Sequence, residues 1–283
     1  MTANRGVTET GSVLDRIVAD KRDRLEITKH AINETVLVER FYTHGDPQWR
    51  LKQAILSPRG AAPAGAAVQI IAEIKKASPS RGVLAETLDP VAIAEAYTAG
   101  GAAGISVVTE ANHFQGDLEW LLQVRRRLAV SHRGSRPSLL RKDFLIDPYE
   151  LVEARAYGAD DVLLIVAMLD DALPRDLLAQ ARGLELDALV EVHTEAEAER
   201  AVKAGATLFG INNRDLHSFE VDLGTTERVR PLLPKDAVVI AESGVHTRAD
   251  VERLYRAGVR AILVGEAFMT APDIAAKMAE LRL

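Results

Sequence analysis

The feature that most constrains the fold is a regular alternation of short apolar runs with amphipathic segments, which begins at Val68. The apolar runs are rich in β-branched residues, as parallel strands covered by helices usually are. They predict eight strands, at residues 68–74, 103–108, 138–142, 161–166, 187–192, 207–211, 237–241 and 260–264. The segments that follow them predict eight helices, at residues 90–99, 118–130, 148–157, 171–182, 195–204, 224–232, 247–257 and 272–281.

Eight consecutive strand–helix units predict an α/β protein with a (β/α)8 TIM barrel. Glycine follows the end of every second predicted helix, at Gly100 and Gly101, Gly158, Gly205 and Gly258. Glycine suits the left-handed conformation at a helix C-terminus, and its regular return favours a barrel over an open sheet. A doubly wound sheet is the alternative. No GxGxxG turn follows the first strand, however, and eight units are more than that fold needs.

The N-terminal part of the sequence differs from the rest. Residues 1–66 predict an N-terminal helical extension packed on the barrel, and residues 67–283 predict the barrel catalytic domain. Apolar side chains recur at helical spacing in 12–30, and a second short helix is predicted at 47–56. The segment 58–67 is rich in Pro, Gly and Ala, which indicates a connector.

Composition excludes several classes of protein. The 283 residues include no cysteine, which excludes a disulfide framework, a thiolate metal site and a cysteine nucleophile. The formal net charge of −6 argues against a nucleic-acid partner. The N-terminus has no apolar signal-peptide core, and no apolar stretch approaches the roughly 18 residues of a membrane span. We therefore expect no membrane partner and a cytoplasmic location.

The first predicted strand carries two ionisable side chains near its carboxyl end. Glu73 and Lys75 are two residues apart, so they share one face of the strand, and the apolar Ala72 and Ile74 occupy the other. In a barrel the shared face points inward, where two charges are costly unless they pair or take part in chemistry. Taken alone, the pair is equally consistent with a buried ion pair and with catalysis.

Polar or ionisable residues also end the third, fifth, sixth and seventh predicted strands. They include Lys142, Glu191, Asn212 and Glu242. The carboxyl ends of barrel strands meet at one mouth, where this fold carries its active site. Solvated loops would explain one or two such strand ends. Five of them at one mouth favour an active site, and with it a catalytic use of the first strand.

Two glycine-containing turns follow the seventh and eighth predicted strands, at residues 241–245 and 264–267. Glycine lets backbone N–H groups approach an anion, and the loops after these two strands commonly bind phosphate in this fold. We therefore predict a phosphate site there. The polar segment 78–82 follows the first strand and predicts a mobile loop that could exclude water from the site.

The histidines give no support for a metal centre. None belongs to an HxH or HExxH pattern, and no Ser-His-Asp arrangement can be argued from the sequence. We assign His193 to a loop, on the opposite face from Glu191, and not to a ligand set. The prediction is a site without a metal.

Taken together and in this order, the strand-end motifs resemble those of the indole-3-glycerol phosphate synthase family. The resemblance covers essentially the whole sequence, including the N-terminal helices. The matching segments are IAEIKKASPS at 71–80, ISVVTE at 105–110, FQG at 114–116, LRKDF at 140–144, VLLIV at 162–166, LVEV at 189–192, GINNRDL at 210–216, AESG at 241–244 and LVGE at 263–266. No single segment identifies the family, but their combination is highly specific.

The resemblance implies a reaction that closes an indole ring on a phosphorylated substrate. In that family a ribulose phosphate carrying an anthranilate amine forms a carbon–carbon bond between its aromatic ring and the sugar carbonyl. Carbon dioxide and then water leave, which makes the enzyme a carboxy-lyase. The resemblance implies no metal and no organic cofactor.

The resemblance also implies catalytic roles at the mouth. Lys142 is the first choice for the general acid, because its ammonium can protonate the departing oxygen and stabilise negative charge that develops there. Glu191 and Glu73 are the candidate bases. Lys75 is expected to neutralise the substrate carboxylate or to act as a second acid, and the division of labour between the two lysines stays open. Asn212 is expected to orient the substrate amine.

The remaining predicted site residues bind the substrate. Arg214 is expected to orient the substrate carboxylate through its planar guanidinium. Glu242 is also expected to contact the substrate. An apolar wall against the aromatic ring is expected from Phe114, Phe144, Leu163, Ile165, Leu216 and Phe219. The phosphate is expected among Ser78, Ser243, Gly244, Gly265 and the backbone N–H of Glu266.

One position departs from the pattern of the family. Some members have a serine where this sequence has Glu266. A carboxylate would repel a neighbouring phosphate, so we expect the Glu266 side chain to point away from it. Arg81 stands where a lysine is also common, which keeps the positive charge.

Three other functions are considered. A sugar-phosphate isomerase or epimerase would need only one acid–base pair, and the aromatic wall and the second inward lysine argue against it. An aldolase-like enzyme would use Lys75 or Lys142 as a Schiff-base nucleophile. A non-catalytic phosphate-ligand binder is disfavoured by the many ionisable strand ends.

The expected partner is a small phosphorylated substrate. One barrel occupies most of the sequence, which predicts a stand-alone enzyme. We expect a monomer, with a weak homo-oligomer as the alternative.

Overall fold

Eight parallel strands form a closed barrel in the computed structural model, which describes residues 6–42, 50–58, 66–132 and 134–283. Each strand pairs with its neighbours in chain order, and the last pairs with the first. The strands are β1 (Gln69–Ile74), β2 (Gly104–Val108), β3 (Ser138–Lys142), β4 (Asp161–Ile165), β5 (Asp187–Val192), β6 (Leu208–Asn212), β7 (Val238–Glu242) and β8 (Ala261–Val264). The predicted barrel is confirmed, and the doubly wound alternative is wrong.

Helices alternate with the strands and cover the outside of the barrel. They are α4 (Pro90–Ala99), α5 (Leu118–Ser131), α6 (Pro148–Ala156), α7 (Leu173–Gly183), α8 (Glu195–Ala204), α9 (Gly224–Val229), α10 (Arg248–Arg256), α11 (Glu266–Met269) and α12 (Ile274–Glu280). The predicted helix at 224–232 ends earlier than expected, because the chain continues as a 3-10 turn from Arg230 to Leu232. No helix among the described residues is long and apolar enough to cross a membrane.

Three helices precede the barrel: α1 (Val13–Ala31), α2 (Glu34–Tyr42) and α3 (Leu51–Leu56). The sequence did not predict α2. The predicted helix at 47–56 is observed as α3, and its residues 47–49 lie outside the described residues, as do 59–65 of the predicted connector.

The extension contacts both ends of the barrel. At the amino end, Asp161 and Asp187 begin β4 and β5 and accept hydrogen bonds from the backbone N–H groups that open α3, at 2.7 and 2.9 Å. At the carboxyl end, Leu14 and Ile17 of α1 line the cavity of the barrel mouth. The N-terminal helix therefore forms part of the wall of that cavity.

At three of the four helix ends the single expected glycine has the left-handed conformation. Gly158, Gly205 and Gly258 have φ angles of 90°, 88° and 89°. At the first helix end the left-handed residue is Gly101, with φ 76°, whereas Gly100 has φ −67°. Both glycines belong to the predicted helix-end segment 99–102, so a left-handed glycine is observed at all four helix ends.

Candidate active site

One cavity opens at the carboxyl ends of the strands, and every site residue predicted from the sequence lines it. These residues are Glu73, Lys75, Ser78, Phe114, Lys142, Phe144, Leu163, Ile165, Glu191, Asn212, Arg214, Leu216, Phe219, Glu242, Ser243, Gly244, Gly265 and Glu266. They come together because the parallel strands all end at this mouth. The roles assigned to them stay predictions.

Lys142 lies among three carboxylates from three other strands. Its Nζ is 3.8 Å from Glu73 Oε2, 3.8 Å from Glu191 Oε2 and 3.6 Å from Glu242 Oε2. The carboxylates are 2–4 % exposed, whereas the lysine side chain is 21 % exposed and faces the cavity. One ammonium is therefore held by the protein on several sides and is open to a ligand on another.

Burial opposes every charge in this group, so each pKa depends on how far the neighbours compensate. Burial lowers the pKa of Lys142, but the three carboxylates outweigh burial and raise it well above its usual value. Burial raises the pKa of Glu191, but Lys142 and His193 bring it down to about 2. Burial and then the charge of Glu191 raise the pKa of Glu242 to about 8. Near neutral pH, Lys142 is charged, Glu191 is ionised and Glu242 is mostly protonated.

Glu73 and Lys75 form a direct ion pair, with Lys75 Nζ 2.7 Å from Glu73 Oε1. Burial raises the pKa of Glu73, but Lys75 and Lys142 outweigh burial and lower it. Gly265 leaves room for this carboxylate, because a Cβ at that position would clash with Glu73 Oε1. The ion pair belongs to the cavity wall, so Glu73 contacts both lysines of the site.

Asn212 connects Glu191 to the turn that follows β7. Its Nδ2 donates to Glu191 Oε1 at 3.2 Å, and its Oδ1 accepts from Ser243 Oγ at 2.8 Å. Its Oδ1 also accepts from the backbone N–H of Arg214 at 3.1 Å. Because both ends of the amide are engaged, its orientation is fixed before a ligand arrives.

His193 contradicts the expectation that it lies on the opposite face from Glu191. Its Nε2 is 3.2 Å from Glu191 Oε1, and its Nδ1 is 3.1 Å from Glu197 Oε2. The two residues are two positions apart, and that spacing puts side chains on the same side of an extended chain. The spacing was the signal for this contact, and the sequence interpretation missed it.

Aromatic and aliphatic side chains form the other wall of the cavity. The ring centroids of Phe114 and Phe144 are 5.7 Å apart. The loop that carries Phe114 is fixed by Glu110, whose Oε2 accepts from the backbone N–H groups of His113 and Phe114 at 2.7 and 3.0 Å. Val13, Leu14, Ile17, Val108 and Leu263 also line the cavity and were not predicted.

The two glycine turns predicted for phosphate face the cavity from β7 and β8. Ser243 and Gly244 have φ angles of 64° and 80°, so the turn after β7 is left-handed at two consecutive residues. The turn after β8 ends at Gly265, where α11 begins. A short hairpin carries Ser78, which pairs with Gly82. The segment expected only as a loop therefore has a small piece of antiparallel structure.

Glu266 is paired with cations at the rim of the cavity. Its Oε1 is 2.9 Å from Arg81 Nη2, and its Oε2 is 3.9 Å from Arg214 Nη2. The guanidinium of Arg214 also donates to the backbone oxygen of Phe219 at 3.1 Å. The carboxylate that departs from the family pattern is thus partly neutralised within the protein.

The residues on either side of Lys142, Arg141 and Asp143, belong to a buried ionic cluster. Lys21 Nζ of α1 is 2.8 Å from both Asp143 Oδ1 and Glu150 Oε1. Arg141 Nη2 is 3.2 Å from Asp143 Oδ2 and 2.9 Å from Glu153 Oε2. The cluster ties α1 and α6 to the end of β3. No local pattern indicated Lys21, because its partners are more than a hundred residues away along the chain.

Gly210 is a second residue that the sequence interpretation left without a role. A Cβ there would clash with Glu242 Oε1, so the glycine makes room for that carboxylate. Its place inside a strand, two residues before Asn212, was the available signal. No group of three or more His, Asp or Glu side chains in the described part of the chain is arranged to hold a metal ion.

Comparisons with known proteins point to one family. A sequence model described as indole-3-glycerol phosphate synthase matches residues 14–281. A protein of that name from Dehalococcoides mccartyi strain CBDB1 is 46 % identical over 273 residues, which cover 95 % of this chain and 99 % of the relative. A protein of the same name from Roseiflexus castenholzii is 47 % identical over 274 residues, which cover 95 % and 98 %.

Solved structures with similar folds are much more distant in sequence. A crystal structure of 3-hexulose-6-phosphate synthase has a TM-score of 0.58 and 17 % identity, and covers 76 % of this chain and 98 % of that chain. A thiamine phosphate pyrophosphorylase from Pyrococcus furiosus has a TM-score of 0.54 and 20 % identity, with coverages of 76 % and 94 %. At this level of identity the likeness concerns the barrel fold alone.

Proposed function

Because the chain belongs to the indole-3-glycerol phosphate synthase family, we propose that it closes the indole ring of that product. The substrate is 1-(2-carboxyphenylamino)-1-deoxyribulose 5-phosphate, and the products are indole-3-glycerol phosphate, carbon dioxide and water, as a step of tryptophan biosynthesis. The observation that carries the proposal is the ammonium of Lys142, which three carboxylates hold in a cavity with an apolar wall on one side and two glycine turns on another.

Lys142 is the general acid in this proposal. The aromatic ring attacks the sugar carbonyl, whose oxygen gains negative charge and takes a proton from the ammonium. The raised pKa keeps Lys142 charged before the reaction, so the proton is present when the substrate arrives. Its positive charge also stabilises the oxygen as negative charge develops on it.

Glu191 is the leading candidate for the base. In the unliganded site its pKa of about 2 makes it a weak base, and Lys142 is the main neighbour that lowers it. Once Lys142 has given up its proton, that positive charge is gone and the pKa of Glu191 rises. The acid step therefore prepares the base for removing a proton from the substrate in a later step. Glu73 is the alternative base, since it contacts the same ammonium.

The second lysine and the polar side chains orient the substrate. Lys75 is the more exposed partner of its ion pair and can turn toward the substrate carboxylate or serve as a second acid in dehydration. Asn212 presents a fixed amide to the substrate amine. Arg214 lies at the rim, where its planar guanidinium suits a carboxylate. Glu242, which is mostly protonated near neutral pH, can donate a hydrogen bond to an oxygen of the substrate.

The walls of the cavity accommodate the two ends of the substrate. The anthranilate ring packs against Phe114, Phe144 and the aliphatic residues beside them. The phosphate lies between the turns after β7 and β8, within reach of Ser78, Ser243 and the backbone of Gly244, Gly265 and Glu266. Arg81 lies at the same rim and offers a cation to the phosphate.

We further propose the division of the chain into an N-terminal helical extension, residues 1–66, and a catalytic barrel, residues 67–283. The extension contributes Leu14 and Ile17 to the cavity, so it takes part in binding the aromatic ring. The protein is proposed to act as a monomer in the cytoplasm. Sedimentation of the purified protein at micromolar concentration tests the monomer, and a stable dimer would contradict it.

The direct test is turnover of the anthranilate-linked ribulose phosphate by the purified protein. The expected result is a rise in indole fluorescence, with one carbon dioxide released per indole formed and no added metal or coenzyme. The matched control is the same substrate without its carboxylate, which cannot release carbon dioxide and should give no product.

Each alternative function has its own outcome in this experiment. An isomerised sugar phosphate without release of carbon dioxide would indicate an isomerase or epimerase. A substrate adduct trapped on Lys75 or Lys142 by borohydride would indicate a Schiff-base enzyme. Tight binding without any product would indicate a non-catalytic binder, and each of these results would contradict the proposal.

A further inference from the structure

The two oxygens of Glu191 have different surroundings. Oε1 accepts a hydrogen bond from Asn212 Nδ2 at 3.2 Å and lies 3.2 Å from His193 Nε2. Oε2 is 3.8 Å from Lys142 Nζ, is buried, and has no hydrogen-bond partner among the described residues. One oxygen is therefore held by the protein, while the other faces the ammonium and the cavity.

His193 is itself held between two carboxylates. Its Nδ1 is 3.1 Å from Glu197 Oε2, and its backbone N–H donates to the same oxygen at 2.8 Å. Its side chain is 7 % exposed. A carboxylate accepts hydrogen bonds and does not donate them, so Nδ1 must carry a proton in its contact with Glu197. The contact of Nε2 with Glu191 is an ion pair without hydrogen-bond geometry, and it is favourable when the ring is positively charged. In agreement, burial lowers the pKa of His193, but Glu191 and Glu197 outweigh burial and raise it to about 10.

The far end of this arrangement is anchored at the start of α8. Thr194 is the residue before that helix, and its hydroxyl accepts from the backbone N–H of Glu197 at 3.2 Å. The same hydroxyl donates to Glu197 Oε1 at 3.1 Å. The capped helix end thus fixes Glu197, which holds the imidazole against Glu191. Among the described residues that line the cavity His193 is absent, so it can act on a substrate only through Glu191.

We propose that His193 is a positioning residue that holds Oε1 of Glu191, so that Oε2 is the oxygen presented to Lys142 and to the substrate. The inference rests on the proposed function, in which Glu191 removes a proton from the substrate. Without the imidazole, Oε1 keeps only the bond to Asn212. The carboxylate then rotates, and either oxygen can face Lys142. The distance between the base and the proton it removes is no longer fixed.

The first test compares the kinetics of His193→Ala, and of Asp273→Ala as a control at the cap of α12, with those of the unchanged protein. Misplacing a reacting group by about 1 Å can cost on the order of 100-fold in rate, so His193→Ala is expected to lower kcat by about 10- to 100-fold. The KM is expected to change by less than about twofold, because the imidazole does not touch the substrate. Asp273→Ala removes the cap of α12 at an exposed residue that does not line the cavity, so it should lower the melting temperature and leave kcat unchanged.

A purely structural role of His193 predicts a different pattern. Both variants would then lower the melting temperature, and both would keep the kcat of the unchanged protein, which would overturn the proposal. If His193→Ala does not fold, His193→Gln serves instead, because its amide can donate to Glu191 without a charge. Its kcat is expected between those of the unchanged protein and of an alanine variant, and an unchanged kcat would again overturn the proposal.

A second measurement does not depend on activity. Nitrogen-15 NMR of the imidazole ring is expected to show both ring nitrogens of His193 protonated at pH 8, and to show loss of one proton at that pH in Glu191→Gln. A neutral imidazole at pH 7 in the unchanged protein would overturn the positioning role. If the unchanged protein shows no turnover of the ribulose phosphate, the proposed function fails separately, and the NMR result still decides whether His193 holds Glu191.

Discussion

Glu191 and Glu242 show how two neighbouring carboxyl groups beside the same ammonium can have pKa shifts of opposite direction. Both are almost fully buried and both lie within 4 Å of Lys142, at 3.8 and 3.6 Å. Glu191 has additional support from His193 and Asn212, and its pKa falls to about 2. Glu242 has no such support, and its pKa rises to about 8. A pair of groups whose pKa values are pushed apart in this way is typical of acid–base sites.

The raised pKa of Glu242 predicts a specific dependence of stability on pH. Its folded pKa of about 8 lies above the ordinary value of 4.5, so the protonated side chain favours the folded state. That contribution is complete below about pH 4.5 and is lost as the pH rises through 8. Glu242→Gln keeps a neutral side chain at every pH. We therefore expect the difference in melting temperature, variant minus unchanged protein, to be larger at pH 9 than at pH 6.

Differential scanning calorimetry at the two pH values checks this prediction. Glu280→Gln is a suitable control, because the Glu280 side chain on α12 is 48 % exposed. For this variant the difference in melting temperature from the unchanged protein should be nearly the same at both pH values. A difference for Glu242→Gln that is the same at pH 6 and pH 9 would mean that Glu242 does not titrate between these values, which would contradict a pKa of about 8.

For individual residues, the sequence predicted which side chains lie together at the barrel mouth, but it did not predict their protonation states. The parity rule along β1 and the strand-end rule of the barrel were enough to bring Glu73, Lys142 and Glu242 to one mouth. The pKa values depend on distances of a few tenths of an ångström and on neighbours such as His193. Such distances are set by packing of the whole barrel, and no local pattern contains them.

The N-terminal helix and β3 are joined by a buried ionic contact that the strand pattern alone could not reveal. Alternation along β3 directs Lys142 toward the cavity and Arg141 and Asp143 toward the helices. Lys21 of α1 meets Asp143 there, with side chains that are 11 % and 2 % exposed. The helix therefore holds the end of the strand that carries the proposed acid.

Removing Lys21 is expected to be strongly destabilising. Lys21→Met leaves Asp143 and Glu150 buried without the ammonium that lies 2.8 Å from each. Breaking a buried ion pair from one side usually costs about 3–5 kcal/mol. Urea unfolding should therefore show a large fall in the free energy of unfolding.

Lys29→Met is the matched control on the same helix. Lys29 pairs with Asp147 at 2.5 Å, and the two side chains are 31 % and 28 % exposed. Such a pair is worth about 0–1 kcal/mol, so the effect of the control should be small. Equal losses in the two variants would contradict the importance given to the buried cluster.

At the scale of elements, the sequence predicted the strands to within one residue but missed α2. The strands have an unambiguous signal, since each is a short apolar run between polar turns. Among residues 34–40 of α2, whose side chains the structure describes, only Leu37 is fully buried, while Val36 is 40 % exposed. The helix is nine residues long and packs against α6, so its stability depends on tertiary contacts. A local pattern cannot predict an element of that kind.

The whole molecule shows why fold and function have to be argued separately. The barrel is shared with a 3-hexulose-6-phosphate synthase at only 17 % identity, so the architecture does not identify the reaction. What distinguishes this chain is the set of side chains at the mouth, drawn from β1, β3, β5, β6 and β7 and from the helix α1. The barrel brings these distant residues to one cavity.

The most direct measurement is the rate of indole formation by Lys142→Ala, alongside the affinity of the same variant for a reduced substrate analogue. Lys142 is the one ammonium that contacts carboxylates from three other strands in the described structure. Loss of a general acid typically costs about 10²- to 10⁴-fold in rate. We expect such a loss with little change in analogue binding, whereas Lys203→Ala, at an exposed residue of α8, should keep the full rate. Comparable turnover by Lys142→Ala and the unchanged protein would contradict the account.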